Sequence, residues 1–210
     1  MIAKERESKV LKMLRNRLET VTVVLEAVYL RHNISAILRS AEAFGVHDVH
    51  LITKQRVVET GVARGAERWV NITKHTDTTS CLMQLKKQGF RICVADLAEN
   101  AKTPATLSVD EPLALVMGTE LAGVSDIARS YADEFVVVPM HGVTQSLNVS
   151  VACGCLLFQL AERRRAFLGG GDLSIERQDA FFKEWQLSEQ KKKQSIAARQ
   201  SIAHRVDGKA

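Results

Sequence analysis

The sequence predicts an α/β protein built on a mostly parallel sheet. Three observations carry this expectation. Strand-type and helix-type periodicities alternate along the chain, a complete β-α-β unit is present by residue 53, and the run Leu113-Ala114-Leu115-Val116-Met117 is apolar at every position. An unbroken apolar run of that length is the pattern of a strand covered on both faces, as in parallel sheets flanked by crossover helices.

The elements follow in order. Val10, Leu11, Leu14 and Leu18 recur at helical spacing with Lys and Arg between them, so residues 4–19 are expected to form an amphipathic helix. Residues 22–28 are β-rich and make the first core strand. Residues 33–44 place Ile34, Ile37, Leu38 and Ala41 on one helical face, and Gly45 is suited to end that helix in a left-handed conformation. A strand over 48–53 is marked by Val49, Leu51 and Ile52. Residues 54–68 read as a surface loop and 69–73 as a short strand. A helix over 77–88 stops at Gly89, and a strand over 91–95 follows. After the 113–117 strand, Ser125 is suited to cap a short helix. Residues 135–138 form a strand ended by Pro139, and 147–167 a long buried helix. Gly169-Gly170-Gly171 is the clearest hinge, and the polar segment beyond it, with Phe181, Phe182 and Trp185, is expected to be partly helical. The organisation is a basic helix over 1–19, an α/β domain over 20–168 and a basic extension over 169–210.

Charge is distributed unevenly. Of the formal net charge of +5, residues 1–19 carry +3, residues 20–160 carry −2 and residues 161–210 carry +4. A slightly acidic body with basic ends suits a polyanionic partner, although solvated tails give the same pattern. The amino terminus is charged and lacks the apolar core of a signal peptide, and the apolar stretch 149–160 is too short to span a bilayer. A cytoplasmic protein with no membrane contact is expected. Cys81, Cys93, Cys153 and Cys155 match no metal or redox spacing and read as reduced core thiols. Gly118-Thr119-Glu120-Leu121-Ala122-Gly123 fits neither a Walker loop nor a dinucleotide-binding fingerprint. A P-loop NTPase, a nicotinamide dehydrogenase and a Rossmann-type methyltransferase are therefore disfavoured.

Three segments hold small and polar residues where a sheet protein puts its ligand loops: 31–45, 115–123 and 138–152. Asn33 and Arg39 lie in the first and can border a cleft, or serve as a helix cap and a solvated helix residue. Glu120 follows a buried-type strand across Gly118, whose missing side chain would let a ligand approach the backbone; an exposed loop acid is the alternative. Ser146 and Asn148 flank Leu147 just before the last core helix, where capping is the simplest role. His32 and His141 lie nearby, but no cysteine or carboxylate spacing supports a metal, and none is expected.

Together, in this order and spacing, the three segments closely resemble the motifs of the SpoU/TrmH family of RNA ribose 2′-O-methyltransferases in the SPOUT superfamily, over roughly residues 20–165. The Ser-Leu-Asn-Val-Ser run at a strand-to-helix junction is the most specific part. The resemblance implies an α/β fold with a deep trefoil knot, an obligate homodimer with residues of both subunits at each site, and S-adenosyl-L-methionine as cofactor. It implies that Arg39, Asn33, Glu120, Ser146 and Asn148 form the catalytic pocket. Arg39 then contacts the RNA and helps activate the 2′-hydroxyl, either as base or as electrostatic stabiliser. A guanidinium with a pKa above about 12 favours stabilisation. The resemblance also places the cofactor among backbone groups near Ala95, Leu97, Gly118, Val138 and Leu147.

Short helical ends and no separate amino-terminal RNA-binding domain resemble the tRNA-directed members, with guanosine 18 of the D-loop as the implied target. The anticodon loop, 23S rRNA and non-catalytic RNA binding are the alternatives. Arg6, Lys9, Arg15 and Arg17 at one end, with Arg163, Arg164, Arg165 and Arg177 at the other, are the candidate phosphate contacts.

Overall fold

The computed structural model describes residues 2–53 and 65–207, so most of the expected 54–68 loop lies outside the described residues. Six strands, β1 (Leu18–Glu26), β2 (Val46–Ile52), β3 (Asn71–His75), β4 (Arg91–Ala95), β5 (Leu113–Met117) and β6 (Glu134–Val136), form one sheet in the order β3-β2-β1-β5-β4-β6. Every neighbouring pair is parallel. The helices are α1 (Ile2–Arg15), α2 (Arg31–Ala43), α3 (Thr78–Lys87), α4 (Asp126–Tyr131), α5 (Val149–Leu168) and α6 (Ile175–Asp207). No helix among the described residues is long and apolar enough to cross a membrane.

The apolar run that predicts the sheet does what its pattern requires. β5 is buried at all five positions. Because side chains alternate across a strand, Leu113, Leu115 and Met117 enter one core with residues of α2 and α5, while Ala114 and Val116 enter another with residues of α3 and α4. Asp77 and Ser125 cap α3 and α4 by accepting the backbone N–H groups of Ser80 and Ala128. Gly45 follows α2 at φ +78°, and a Cβ there would meet the Asn16 carbonyl oxygen at 3.0 Å, so both conformation and space demand glycine.

Several boundaries differ from expectation. β1 begins at Leu18, four residues early, because the buried Leu18 is tied by its N–H to the Gly45 carbonyl at 2.8 Å. β3 covers 71–75, and β6 stops at Val136, after which the Val137 N–H turns to the Lys102 carbonyl. The long helix is not buried all round. Val151 and Phe158 are about half exposed (50% and 54%), and Cys155 lies between them on the same face. A helix apolar on every side carries no sequence signal for which face is covered. Cys155 is thus not a core thiol, whereas burial pushes Cys81, Cys93 and Cys153 up to about 12.

The chain divides into two compact units, residues 16–173 and residues 1–15 with 174–210. In the smaller unit α1 and α6 are joined by an Arg6–Glu189 ion pair of 2.7 Å, and Arg6 lies over the Trp185 ring, itself stacked with Phe182.

Four basic residues expected to face phosphate have interior or backbone-directed roles instead. Arg17 is 1% exposed; its guanidinium donates to the Val46 carbonyl at 2.9 Å and pairs with Glu42 at 3.2 Å. Desolvation lowers its pKa from the usual arginine value, and Glu42 partly restores it. Arg164, also buried, donates to Thr20 Oγ1 and the Val109 carbonyl. Arg163 donates to the Pro104 and Leu107 carbonyls, and Arg165 to those of Asn16 and Phe44. These guanidinium groups satisfy carbonyls that would otherwise lack a donor. Arg17→Met is expected to cost about 1–3 kcal/mol by leaving the Val46 carbonyl unpaired, read as a lower urea midpoint at unchanged m-value.

Candidate active site

Parallel strands place their carboxyl ends on one edge of the sheet, and the three polar segments begin there. β5 ends at Met117, and the chain then closes a tight ring. The Thr119 N–H donates to the Gly123 carbonyl at 2.8 Å and the Gly123 N–H returns to the Thr119 carbonyl at 3.0 Å. A Cβ at Gly118 would lie 2.2 Å from the Gly123 carbonyl carbon. The space beside Gly118 is filled by the chain itself, so ring closure, not ligand approach, is what demands glycine there. The ring presents Glu120, whose residue is exposed.

Asn33 enters from α2. It is not the helix cap, because Leu30 occupies that position; Asn33 lies in the first turn, 2% exposed. Its Nδ2 donates to Glu120 Oε1 at 3.1 Å, and its Oδ1 accepts from Asn148 Nδ2 at 3.1 Å. Asn148 Nδ2 also donates to Glu120 Oε1. The other end of the Asn148 amide caps α5, its Oδ1 accepting from the Ser150 N–H at 2.9 Å and the Ser150 hydroxyl at 2.6 Å. Capping and pocket-building, alternatives in sequence, are both performed by this one amide. One residue from each polar segment thus meets the other two directly.

Arg39 and Ser146 are not hydrogen-bonded to this cluster. Six positions beyond Asn33 is a rotation of about 240° around the helix, so Arg39 emerges on a different face and is exposed. Ser146 lies in an irregular stretch in which residues 141–148 are all exposed. Among the described residues neither side chain makes a hydrogen bond or ion pair within the chain. His32 and His141 are likewise exposed.

The residues expected to surround a ligand are gathered by the strand order. Ala95 ends β4, with the 65%-exposed Leu97 two residues on. Gly118 follows β5, and Val138 lies two residues past β6. These three strands are neighbours. Leu147 directly precedes the Asn148 cap. Between Val138 and Leu147 no backbone group bonds to another described residue, which leaves a row of donors and acceptors free beside the strand ends. Sequence reading missed the Asp96–Arg129 ion pair (2.6 Å) at the end of β4, which joins it to α4. No local motif signals it, since the partners are 33 residues apart.

Comparison with known proteins gives a consistent result. Residues 20–158 match the model of the SpoU rRNA Methylase family. The tRNA (guanosine(18)-2′-O)-methyltransferase of Thermus thermophilus is 37% identical over 166 residues, 78% of this chain and 85% of the relative. That of Escherichia coli K12 is 35% identical over 167 residues, covering 78% and 72%. Among solved structures, the A. aeolicus TrmH/SpoU tRNA modifying enzyme superposes with a TM-score of 0.80 at 31% identity, covering 90% of this chain and 98% of the other.

A methyl group at residue 118 has nowhere to go. Gly118→Ala is expected to open the 118–124 ring and displace Glu120. The measurable outcomes are a lowered melting temperature and the loss of at least about nine-tenths of any activity housed here, because misplacement of about 1 Å can cost about 100-fold.

Proposed function

From its place in the SpoU rRNA methylase family, to which this chain belongs, we propose that it transfers a methyl group from S-adenosyl-L-methionine to a ribose 2′-hydroxyl of tRNA, at guanosine 18. The observation that carries the reading is the direct bonding of Asn33, Glu120 and Asn148, which unites the three motif segments, within a chain whose relatives of that name align over 78% of its length.

The chain fits the cofactor without a glycine-rich fingerprint. Val138 and Leu147 would hold it through the free backbone groups past β6 and ahead of α5, with Ala95, Leu97 and the Gly118 turn as the neighbouring wall. When bound, the cofactor supplies a sulfonium methyl, an electrophile already activated. What the protein must do is orient the ribose oxygen and stabilise its developing charge. Arg39 is the catalytic residue for that second role. Its permanent charge would stabilise the developing alkoxide while the hydroxyl proton passes to solvent water. Asn33, Glu120 and Asn148 are positioning residues, because the Glu120 carboxylate already accepts two amide bonds. Ser146, next to the cap, supplies a hydroxyl at the mouth of the pocket.

Arg39 reaches this centre in a homodimer, from the second copy of the chain. The half-exposed apolar stripe Val151, Cys155 and Phe158 on α5 supports such an interface, since faces of this kind on a soluble protein mark contact sites. The family's trefoil-knot threading belongs to the same reading, and a tRNA substrate is consistent with a cytoplasmic protein. On the smaller unit, the exposed Lys9 and Arg15 make phosphate contacts, as Arg6 and Arg177 do.

Three measurements test this. With labelled cofactor and unmodified tRNA, Arg39→Ala is expected to lower kcat/KM by about 100- to 1000-fold with cofactor binding retained; a near-native rate would refute the assignment. Phe158→Glu should halve the mass seen in analytical ultracentrifugation and abolish transfer. Replacing Lys9 and Arg15 by Gln should flatten the log–log salt dependence of tRNA affinity by about two.

A further inference from the structure

We propose that His50, His75 and Cys81 form a zinc-binding site, separate from the methyl-transfer centre and independent of that functional reading. The three residues are 25 and six positions apart in sequence and belong to three elements: His50 to β2, His75 to the last position of β3, and Cys81 to the first turns of α3. No spacing motif reveals them, and neither His32 on α2 nor His141 after β6 belongs to the cluster. In the fold they converge. His50 Nδ1 lies 2.9 Å from His75 Nε2, the ring centroids are 5.1 Å apart, and one ring nitrogen of each histidine lies with Cys81 Sγ in a group whose atoms are all within 4.8 Å of one another.

This donor set suits a borderline-soft cation. Two imidazoles and a thiolate are ligands of tetrahedral zinc, with metal–nitrogen bonds of about 2.0–2.1 Å and a metal–sulfur bond of about 2.3 Å. Those lengths put ligand atoms roughly 3.3–3.6 Å apart. The histidine nitrogens must part by roughly half an ångström and the sulfur must close in, within the range of side-chain rotation. In the metal-free protein the nitrogens share one proton, which leaves the sulfur without a comparable role. A cation takes both lone pairs and the sulfur at once. His50 and Cys81 are buried, whereas His75 is half-buried, so the cluster has one side toward solvent for entry and for a water as fourth ligand.

The balance of the step is simple. The Cys81 S–H bond breaks and its proton goes to solvent, and a zinc–sulfur bond forms. Each imidazole keeps one N–H on its outer nitrogen, the shared inner proton moving by tautomerisation, so one proton leaves per zinc bound. The remaining single positive charge is offset by Asp48 and Asp77, each of which acts electrostatically on one of the two imidazoles. The bound ion would tie the edge strand β3 and the start of α3 to β2.

The test uses the full chain, stripped of metal and then equilibrated with zinc chloride. One zinc per chain is expected by elemental analysis, with one proton released per zinc in weak buffer and a higher melting temperature. Cobalt in place of zinc should give a thiolate-to-metal charge-transfer band. Cys81→Ala and His75→Gln should each cut zinc retention at least about tenfold, in line with the loss of one ligand, and Cys81→Ala should lose the cobalt band. Folding of both variants is checked by circular dichroism; if either fails to fold, the cobalt band and proton count of the wild-type chain decide. Wild-type protein without stoichiometric zinc or without the band, or retention of zinc by both folded variants, would overturn the proposal.

Discussion

All six strands point the same way, and the chemistry of this protein depends on that constraint. A parallel strand cannot hairpin back, so every strand is followed by a connection that starts at the same edge of the sheet. The chain lays β1, β2 and β3 outward in one direction and then fills the other side, with β5 against β1. Asn33 follows β1 and Glu120 follows β5. Their hydrogen bond across 87 residues is therefore a local consequence of strand adjacency, not of any loop reaching across the molecule. β5 can occupy this central place because all five of its residues are apolar and serve two cores in alternation.

The Asn33–Glu120–Asn148 cluster turns that adjacency into a fixed shape. Asn33 is almost completely buried while the other two residues are exposed, so the cluster spans the boundary between interior and solvent. An amide so deeply buried must have its donor and acceptor satisfied, and here each is bonded by a residue from another segment. Asn148 joins the start of α5 to the pocket through a single planar group, its oxygen committed to the helix and its nitrogen to the cluster. A shift of α5 is thereby transmitted to Glu120. The amide's geometry makes capping and site assembly one event.

Much of this is legible in residue patterns. The apolar run at 113–117, the helical face of Ile34, Ile37, Leu38 and Ala41, and the capping residue Ser125 each impose a local rule that the fold obeys. The three polar segments are legible as a set because strand-end loops need small and polar residues. Other features depend on contacts between distant parts and leave no local trace. Nothing near Arg17 or Arg164 distinguishes an arginine that satisfies buried carbonyls from one that faces solvent, because the deciding partners lie 29 and 55 residues away. The covered and open faces of α5 are equally apolar, so only packing separates Leu156 and Leu157 from Val151 and Phe158. The need for glycine at 118 is hidden for a related cause: the clash that forbids a side chain comes from a ring whose closing partner, Gly123, is itself placed only by the fold.

The burial of Arg164 has a consequence for how a polyanion meets the protein. Charge enclosed in the interior still contributes to the field at a distance, so it helps draw a negatively charged molecule toward the surface until ions screen it beyond about 8 Å at physiological salt. On contact it can do nothing further, because it touches no phosphate and displaces no condensed ion. Such a residue influences the frequency of encounters but not the duration of the embrace. Formal charge counted along the chain therefore overstates grip while describing attraction fairly.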